Sequence, residues 1–218
     1  MVFEDRRDGG QVLAQAMRAS RDWADAIVLG LPRGGVPVAF EVARELSLPL
    51  DVLVVRKLGV PGQEELAMGA VASGGAMVIN QRVVHELGIS LETIEAIAER
   101  EKLEIERRES AYRDGRPPAR IEGRTAILVD DGLATGSSMM AAVRALGPRA
   151  RQVIVAVPVA AESTCEQLRS EADQVICAIT PQQFFAVGCF YRNFEQTTNE
   201  EVRTLLSLAR SDEGTRAA

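Results

Sequence analysis

Short apolar runs alternate with amphipathic stretches along most of the chain. The runs that begin near positions 26, 51, 126, 152 and 174 have the length and branched side chains typical of strands buried on both faces. Between them, apolar residues recur at helical spacing, as they do near the start of the chain at Val12, Leu13, Ala16 and Met17. This alternation predicts a mainly parallel sheet with helices on both of its faces.

The pattern also gives approximate limits for each element. Strands are predicted at 26–29, 51–55, 126–129, 152–157 and 174–179, a hairpin at 70–72 and 76–79, and helices at 36–46, 91–113, 139–146, 163–172 and 198–208. Ser90 is the expected N-cap of the long charged helix, and residues 211–218 are expected to fray. We therefore predict an α/β fold, a Rossmann-like doubly wound sheet, in a single domain over residues 1–218.

Composition narrows the classes of function. Hydrophobic residues make up 46% of the 218 residues, but no apolar run is long enough to span a membrane, so we expect no membrane partner. The charged N-terminus lacks the apolar core of a signal peptide, which favours a cytoplasmic location. A net charge of −6 argues against nucleic-acid binding, and a single histidine, His85, argues against a Ser-His-Asp triad or a histidine metal centre.

One segment carries most of the chemical information. The apolar run at 126–129 ends in two carboxylates, Asp130 and Asp131, which precede a turn of small residues and then a helix. The turn consists of Ala134, Thr135, Gly136, Ser137 and Ser138. Unpaired N–H groups at a helix start, three hydroxyls and a glycine make such a turn suitable for a phosphate.

The two carboxylates next to this turn limit what the ligand can be. They repel a bare phosphate, so the ligand must also carry hydroxyl groups or a metal ion a few ångströms from its anionic end. A ribose 5-phosphate meets both conditions, with its phosphate in the turn and its hydroxyls donating to the carboxylates. The competing interpretation is a strand, turn and helix in which the aspartates only act as caps.

The segment 129–138 resembles the phosphoribosyl-pyrophosphate (PRPP) motif of type I phosphoribosyltransferases. The resemblance rests on the order, spacing and type of residues, from the apolar strand through the acidic pair to the Thr-Gly turn. It implies a core at about 25–180, followed by a C-terminal hood and helix at about 181–210. It also implies a flexible loop near 58–75, which closes over the active site in that family.

A second turn of the same kind follows the first predicted strand. Arg33, Gly34 and Gly35 precede a helix, so a cation and a possible nest of N–H groups lie together there. The resemblance assigns this turn to pyrophosphate, and Arg56 and Lys57, at the end of the next predicted strand, are placed to join it. An ordinary glycine-rich turn and a solvated charge pair are the alternatives.

Aromatic residues are concentrated near the C-terminus. Five of the chain's nine aromatic residues lie within 181–196, namely Phe184, Phe185, Phe190, Tyr191 and Phe194. They form either a hydrophobic lid on the core or, as the family's variable hood, a surface for the acceptor. Phe184, Phe185, Phe190 and Tyr191 are the candidate acceptor-binding residues.

The resemblance implies transfer of the 5-phosphoribosyl group from PRPP to a nitrogen acceptor, expected to be a nucleobase, with release of pyrophosphate. Asp130 and Asp131 are then the catalytic residues, Mg²⁺ is the cofactor and is held mainly through PRPP, and a homodimer is the default expectation. A PRPP- or nucleotide-sensing regulator without turnover is the main alternative. A phosphorelay receiver is another, but its acidic partners are missing after the first strand, where Leu31, Pro32 and Arg33 stand.

Overall fold

The protein is described by a computed structural model that covers residues 2–18 and 23–216. Within these ranges the strands are β1 Ala26–Gly30, β2 Leu50–Val52, β3 Val55–Val60, β4 Gln63–Ala72, β5 Met77–Ile79, β6 Thr125–Val129, β7 Gln152–Val159 and β8 Gln174–Ile179. The helices are α1 Arg6–Arg18, α2 Gly35–Leu46, α3 Gln81–Glu86, α4 Leu91–Arg113, α5 Ser137–Leu146, α6 Glu162–Arg169 and α7 Asn199–Arg216.

The main sheet is parallel and five-stranded, in the order β2-β1-β6-β7-β8. Its strands are apolar on both faces because helices cover both. In β1, Val28 belongs to the core shared with α1, α2 and α7, whereas Ile27 and Leu29 belong to the core shared with α5 and α6. The predicted α/β, doubly wound, mainly parallel fold is confirmed.

A second, antiparallel sheet of β3, β4 and β5 packs beside α4 and α5. Here the sequence prediction of one strand at 51–55 was wrong. The chain leaves the parallel sheet at Val52 and enters β3 at Val55, so Arg56 and Lys57 lie inside an antiparallel strand instead of at the end of a parallel one.

The segment predicted to be a closing loop forms most of an antiparallel hairpin, whose register shifts on both sides of Gly59. Residues 58–69 supply the end of β3, a tight turn and most of β4. The hairpin predicted from 70–72 and 76–79 is present as the pairing of β4 with β5. Whether the β3–β4 hairpin closes over a ligand stays a prediction.

Helix ends follow local chemistry. Ser90 caps α4 as predicted, since its side chain accepts a hydrogen bond from the Thr93 N–H at 3.2 Å. The last helix, predicted to end near 208, continues through Arg216. Among the residues that the structure describes, no helix combines the length and apolar composition that a membrane span requires.

A buried ion pair fixes α4 to the edge of the parallel sheet. The guanidinium of Arg113 donates to the carboxylate of Asp51 at 2.9 Å and to the carbonyl of Val52 at 2.9 Å. Both charged side chains are about 96% buried, so each depends on the other for its compensation. The ion pair therefore holds α4 against β2, close to the edge from which the predicted site residues emerge.

Candidate active site

The acidic pair lies at the carboxyl end of β6, in the middle of the parallel sheet. Asp130 and Asp131 follow directly after Val129, and both are half-buried. The backbone N–H of Asp131 donates to Oδ1 of Asp130 at 2.9 Å, which orients the Asp130 side chain. The pair is therefore a defined feature of the fold at the sheet edge where open α/β sheets bind ligands.

The glycine turn, residues 32–35, packs directly against the acidic pair. A Cβ added to Gly34 would lie 2.1 Å from Oδ2 of Asp131, and one added to Gly35 would lie 2.6 Å from the carbonyl oxygen of Val129. The N–H of Leu31 donates to that same carbonyl at 2.9 Å. Two segments about 100 residues apart are thus in contact, and only glycine leaves room for this approach.

The phosphate turn, residues 134–138, lies beyond the acidic pair and opens to solvent. Gly136 is the N-cap of α5 with a φ of 65°, and no side chain caps the helix. The hydroxyls of Thr135 and Ser137 lie 3.2 Å apart, and both residues are exposed. The carbonyl of Ala134 accepts a hydrogen bond from Thr164 Oγ1 of α6 at 2.5 Å, which anchors the turn to that helix. This is an uncapped helix start with surrounding donors, as an anion site requires.

The three cations predicted for pyrophosphate are in different surroundings. Arg33 lines a cavity next to α4. Arg56 pairs with Glu101 of α4 at 2.7 Å, which compensates its charge. Lys57 lines a cavity of about 680 Å³ together with Ser137 of the phosphate turn. The structure thus brings Lys57 towards the phosphate turn but gives Arg56 a different partner.

Arg6 is a residue that the sequence did not reveal. Its Nε donates to Oδ2 of Asp131 at 2.8 Å, with both side chains at least 85% buried, and its Nη1 donates to the carbonyl of Glu195 at 2.6 Å. Its guanidinium also lies 4.0 Å from the ring centre of Phe194. No sequence signal pointed to this contact, since Arg6 looked like part of a polar N-terminus 125 residues away from its partner.

The hood, residues 181–196, is joined to the N-terminus and to the acidic pair. The backbone N–H of Phe3 donates to the carbonyl of Phe190 at 2.8 Å, and the Phe3 side chain is fully buried beside Tyr191. The hydroxyl of Tyr191 donates to the carbonyl of Asp131 at 2.5 Å. Phe184 stacks on Phe190, whereas Phe185 is 83% exposed. Of the four acceptor candidates, Phe185 is thus the one with an open ring.

The acidic pair has unusual electrostatics. Burial raises the pKa of Asp130 well above its usual range, and the neighbouring carboxylate of Asp131 raises it further. Burial also raises the pKa of Asp131, although the hydrogen bond and charge of Arg6 act in the opposite direction. Burial raises the pKa of Tyr191 too, so its hydroxyl remains a donor. A cation or a hydroxyl donor brought by a ligand relieves this unfavourable charge.

The residues fit a magnesium ion that is shared with a ligand better than one bound by protein alone. No cluster of three His, Cys, Asp or Glu side chains suitable for a metal occurs among residues 2–18 and 23–216. The acidic pair offers carboxylate oxygens, and Mg²⁺ commonly uses one or two carboxylates together with substrate phosphates and water.

Comparison with known proteins agrees with this geometry. A family model described as a phosphoribosyl transferase domain matches residues 7–192. This match includes the glycine turn, the acidic pair, the phosphate turn and most of the hood. The chain belongs to the phosphoribosyl transferase family, and the resemblance found in its sequence is confirmed.

Individual relatives give the same result. Two Mycobacterium tuberculosis proteins, from strains CDC 1551 / Oshkosh and ATCC 25618 / H37Rv, are each 46% identical to this chain over 212 residues and are provisionally named phosphoribosyl transferases. These alignments cover 97% of this chain and 48% of each relative, so the chain spans about half the length of these curated relatives. A crystal structure from Thermus thermophilus has a TM-score of 0.85 and 43% identity, covering 94% of this chain and 98% of that one.

The contact between the glycine turn and the acidic pair predicts an unusual intolerance to alanine. Gly35 is the first residue of α2, where alanine would normally be favoured over glycine. We expect Gly35→Ala to lower the free energy of unfolding by about 1–3 kcal/mol, because its Cβ meets backbone atoms of Val129 and Asp130. Gly147→Ala is the control, since its Cβ would meet nothing closer than 3.5 Å. Equal denaturation midpoints for the two variants would contradict the close approach.

Because the pKa of Asp130 is raised in the folded protein, we expect its ionised carboxylate to lower the free energy of unfolding. Above the raised pKa the buried carboxylate destabilises the fold, and below the ordinary aspartate pKa of about 3.9 it is neutral in both states. We expect Asp130→Asn to raise Tm by ~2–4 °C at neutral pH, as about 1 kcal/mol does in a chain of this length. The gain in Tm should shrink as the pH falls from the raised pKa towards the ordinary aspartate pKa of about 3.9.

Thermal unfolding between pH 4 and 8 measures this effect. Asp173→Asn is the control, because Asp173 also accepts a backbone N–H, that of Val153 at 2.7 Å, but has no acidic neighbour on either side in the sequence. A gain for Asp130→Asn that is absent, or that does not depend on pH, contradicts the assignment.

Proposed function

We propose that this protein transfers the 5-phosphoribosyl group of PRPP to a nitrogen acceptor and releases pyrophosphate. The observation that carries the proposal is the contact between the glycine turn and the acidic pair, with the uncapped phosphate turn following on the same chain segment. This arrangement offers two anion sites on either side of two carboxylates. PRPP has the matching order of groups, with a phosphate, a ribose and a diphosphate.

The 5-phosphate binds in the phosphate turn. Backbone N–H groups at the start of α5 are not capped by a side chain, and the helix dipole favours an anion there. Thr135, Ser137 and Ser138 add hydroxyl donors at the mouth of the turn. Gly136 adopts its left-handed conformation without strain, so the backbone can approach the phosphate closely.

The ribose hydroxyls donate to Asp130 and Asp131. Mg²⁺, held through PRPP beside Asp130 and Asp131, would neutralise charge on the leaving group. The acidic pair is suited to this role because its carboxylates are buried and only one of them has a cationic partner, Arg6, among the described residues. Ligand binding therefore adds to the compensation that Arg6 provides.

The diphosphate meets the glycine turn. The backbone N–H of Gly34 and the side chain of Arg33 are the proposed donors, whereas the N–H of Gly35 already donates to the carbonyl of Leu31 at 3.0 Å. Lys57 approaches from the cavity that it shares with Ser137. Arg56 can contribute only if it exchanges Glu101 for the ligand.

The chemistry requires positioning more than proton transfer. The bond between the anomeric carbon and the diphosphate breaks, its electron pair leaves with pyrophosphate, and the acceptor nitrogen forms the new bond and loses its proton to water. Positive charge develops on the ribose in the transition state, and the two carboxylates next to it stabilise that charge. The single exposed histidine is not needed for this reaction.

The acceptor binds at the hood, and we propose a nucleobase. Phe185 supplies an exposed ring for stacking, while Phe184, Phe190 and Tyr191 hold the hood in place. Cytoplasmic location and a homodimer stay predictions from the sequence.

The direct test is pyrophosphate release from PRPP and Mg²⁺ with a panel of free purine and pyrimidine bases. We expect release with one base or one class of bases, and we expect Asp130→Asn/Asp131→Asn to lower kcat/KM by at least 100-fold, about 2.7 kcal/mol. Binding of PRPP without release for any base would favour the sensing alternative. No PRPP binding would disprove the assignment.

Alanine substitutions at the two neighbouring phenylalanines of the hood should have different effects. Phe185→Ala should leave Tm unchanged and raise KM for the acceptor about tenfold, since stacking of a base on an aromatic ring is worth ~1–3 kcal/mol. Phe184→Ala should instead lower the stability by about 1–3 kcal/mol, because its ring packs on Phe190. Steady-state kinetics and thermal unfolding separate the two, and an unchanged KM for Phe185→Ala would remove the ring from the acceptor site.

A further inference from the structure

A cavity of about 450 Å³ lies between the glycine turn, α4 and the first residue of α7. Three arginines line it: Arg33 from the turn and Arg107 and Arg108 from α4. Tyr112 and Asn199 add polar groups to the wall. Among the described residues that line it, neither the acidic pair nor the phosphate turn is present, and Arg33 is the proposed diphosphate ligand that it shares with the site described above.

The charge around this cavity is positive although the chain as a whole is acidic. Arg107 and Arg108 share one carboxylate, Glu104, whose oxygens lie 2.8 and 2.7 Å from their Nε atoms. These arginines lower the pKa of Glu104 to about 2, so it stays ionised at physiological pH. Within residues 2–18 and 23–216, no ion pair involves Arg33. Glu104 therefore compensates two of the three arginines only in part, and no carboxylate is among the described residues that line the cavity.

We propose that this cavity, here called the arginine cavity, binds the linked phosphate groups of a small molecule. A guanidinium group matches phosphate oxygens with paired N–H donors, and several guanidinium groups around one cavity suit a chain of two or more phosphates. The volume lies within the range of small-molecule sites. Tyr112 and Asn199 can hydrogen-bond to neutral groups, which leaves room for a nucleoside attached to the phosphates.

Arg33 connects the arginine cavity to the proposed active site. It precedes Gly34 and Gly35, which contact the acidic pair. A ligand that holds Arg33 in the cavity removes this cation from the diphosphate of PRPP, so the two ligands oppose each other, and by linkage the effect is reciprocal. This coupling rests on the proposed function, whereas binding in the cavity does not.

Isothermal titration with inorganic tripolyphosphate, without Mg²⁺ or PRPP, tests the binding directly. We expect Arg107→Gln/Arg108→Gln to weaken the affinity at least tenfold. Arg100→Gln/Lys102→Gln is the matched control, because it removes the same charge from α4 outside the cavity lining and should change the affinity less than twofold. Asp130→Asn/Asp131→Asn should retain the binding.

A variant with the opposite effect excludes a general loss of structure. Glu104→Gln removes the carboxylate that compensates Arg107 and Arg108, so we expect tripolyphosphate to bind several times more tightly. Glu99→Gln, which removes the partner of Lys102 on the same helix, should have no such effect. A loss of affinity in Glu104→Gln would contradict the proposal, as would undetectable binding by the unmodified protein at millimolar tripolyphosphate.

Affinities for tripolyphosphate and for nucleoside diphosphates, measured side by side, show whether the cavity recognises the phosphate chain alone or also a nucleoside. Equal affinities identify the phosphate chain as the recognised group, and at least tenfold tighter binding of one nucleoside diphosphate adds its nucleoside. Either result supports the site if Arg107→Gln/Arg108→Gln weakens the binding. The outcome is independent of turnover, because tripolyphosphate binding with no transferase activity overturns only the proposed function. Transferase activity with equal binding by the wild type and Arg107→Gln/Arg108→Gln overturns only the arginine cavity.

Discussion

The close approach of two turns determines the geometry of the candidate site. Strands β1 and β6 are adjacent, parallel and in register, with Gly30 opposite Val129. The helices that follow them leave towards opposite faces of the sheet, which opens a crevice at the carboxyl ends of the strands. Glycines on one side of this crevice let the carboxylates on the other side enter it. Without that space, the acidic pair and the glycine turn could not share one ligand.

The same closeness creates an electrostatic cost. Two adjacent carboxylates are withdrawn from water, and Arg6 pairs with only one of them. Such a site gains free energy when a ligand supplies hydroxyl donors or a cation, so the cost contributes to binding. Arg6 and Tyr191 also join the acidic pair to the hood, so one hydrogen-bond network holds both.

Net charge is a poor guide to the local distribution of charge on this protein. The chain carries a net charge of −6, yet guanidinium groups from the glycine turn and α4 surround one cavity. The parallel-sheet edge places that turn beside α4, and the buried pair of Asp51 and Arg113 fixes α4 in position. Local placement of charges by the fold, rather than their sum, governs which ligands the surface attracts.

The sequence determined the α/β class, the parallel sheet, the acidic pair and the two turns, because each depends on neighbouring residues and on hydrophobic periodicity. It misplaced Arg56 and Lys57, since an apolar run does not reveal that a strand leaves one sheet and enters another at Val52. It could not reveal the partners of Arg6 and Phe3 or the arginines that line a cavity with Arg33, because all of these lie far away along the chain. Those contacts exist only after folding brings the N-terminus, the hood and α4 to the carboxyl edge of the sheet, where packing and desolvation select the pairs.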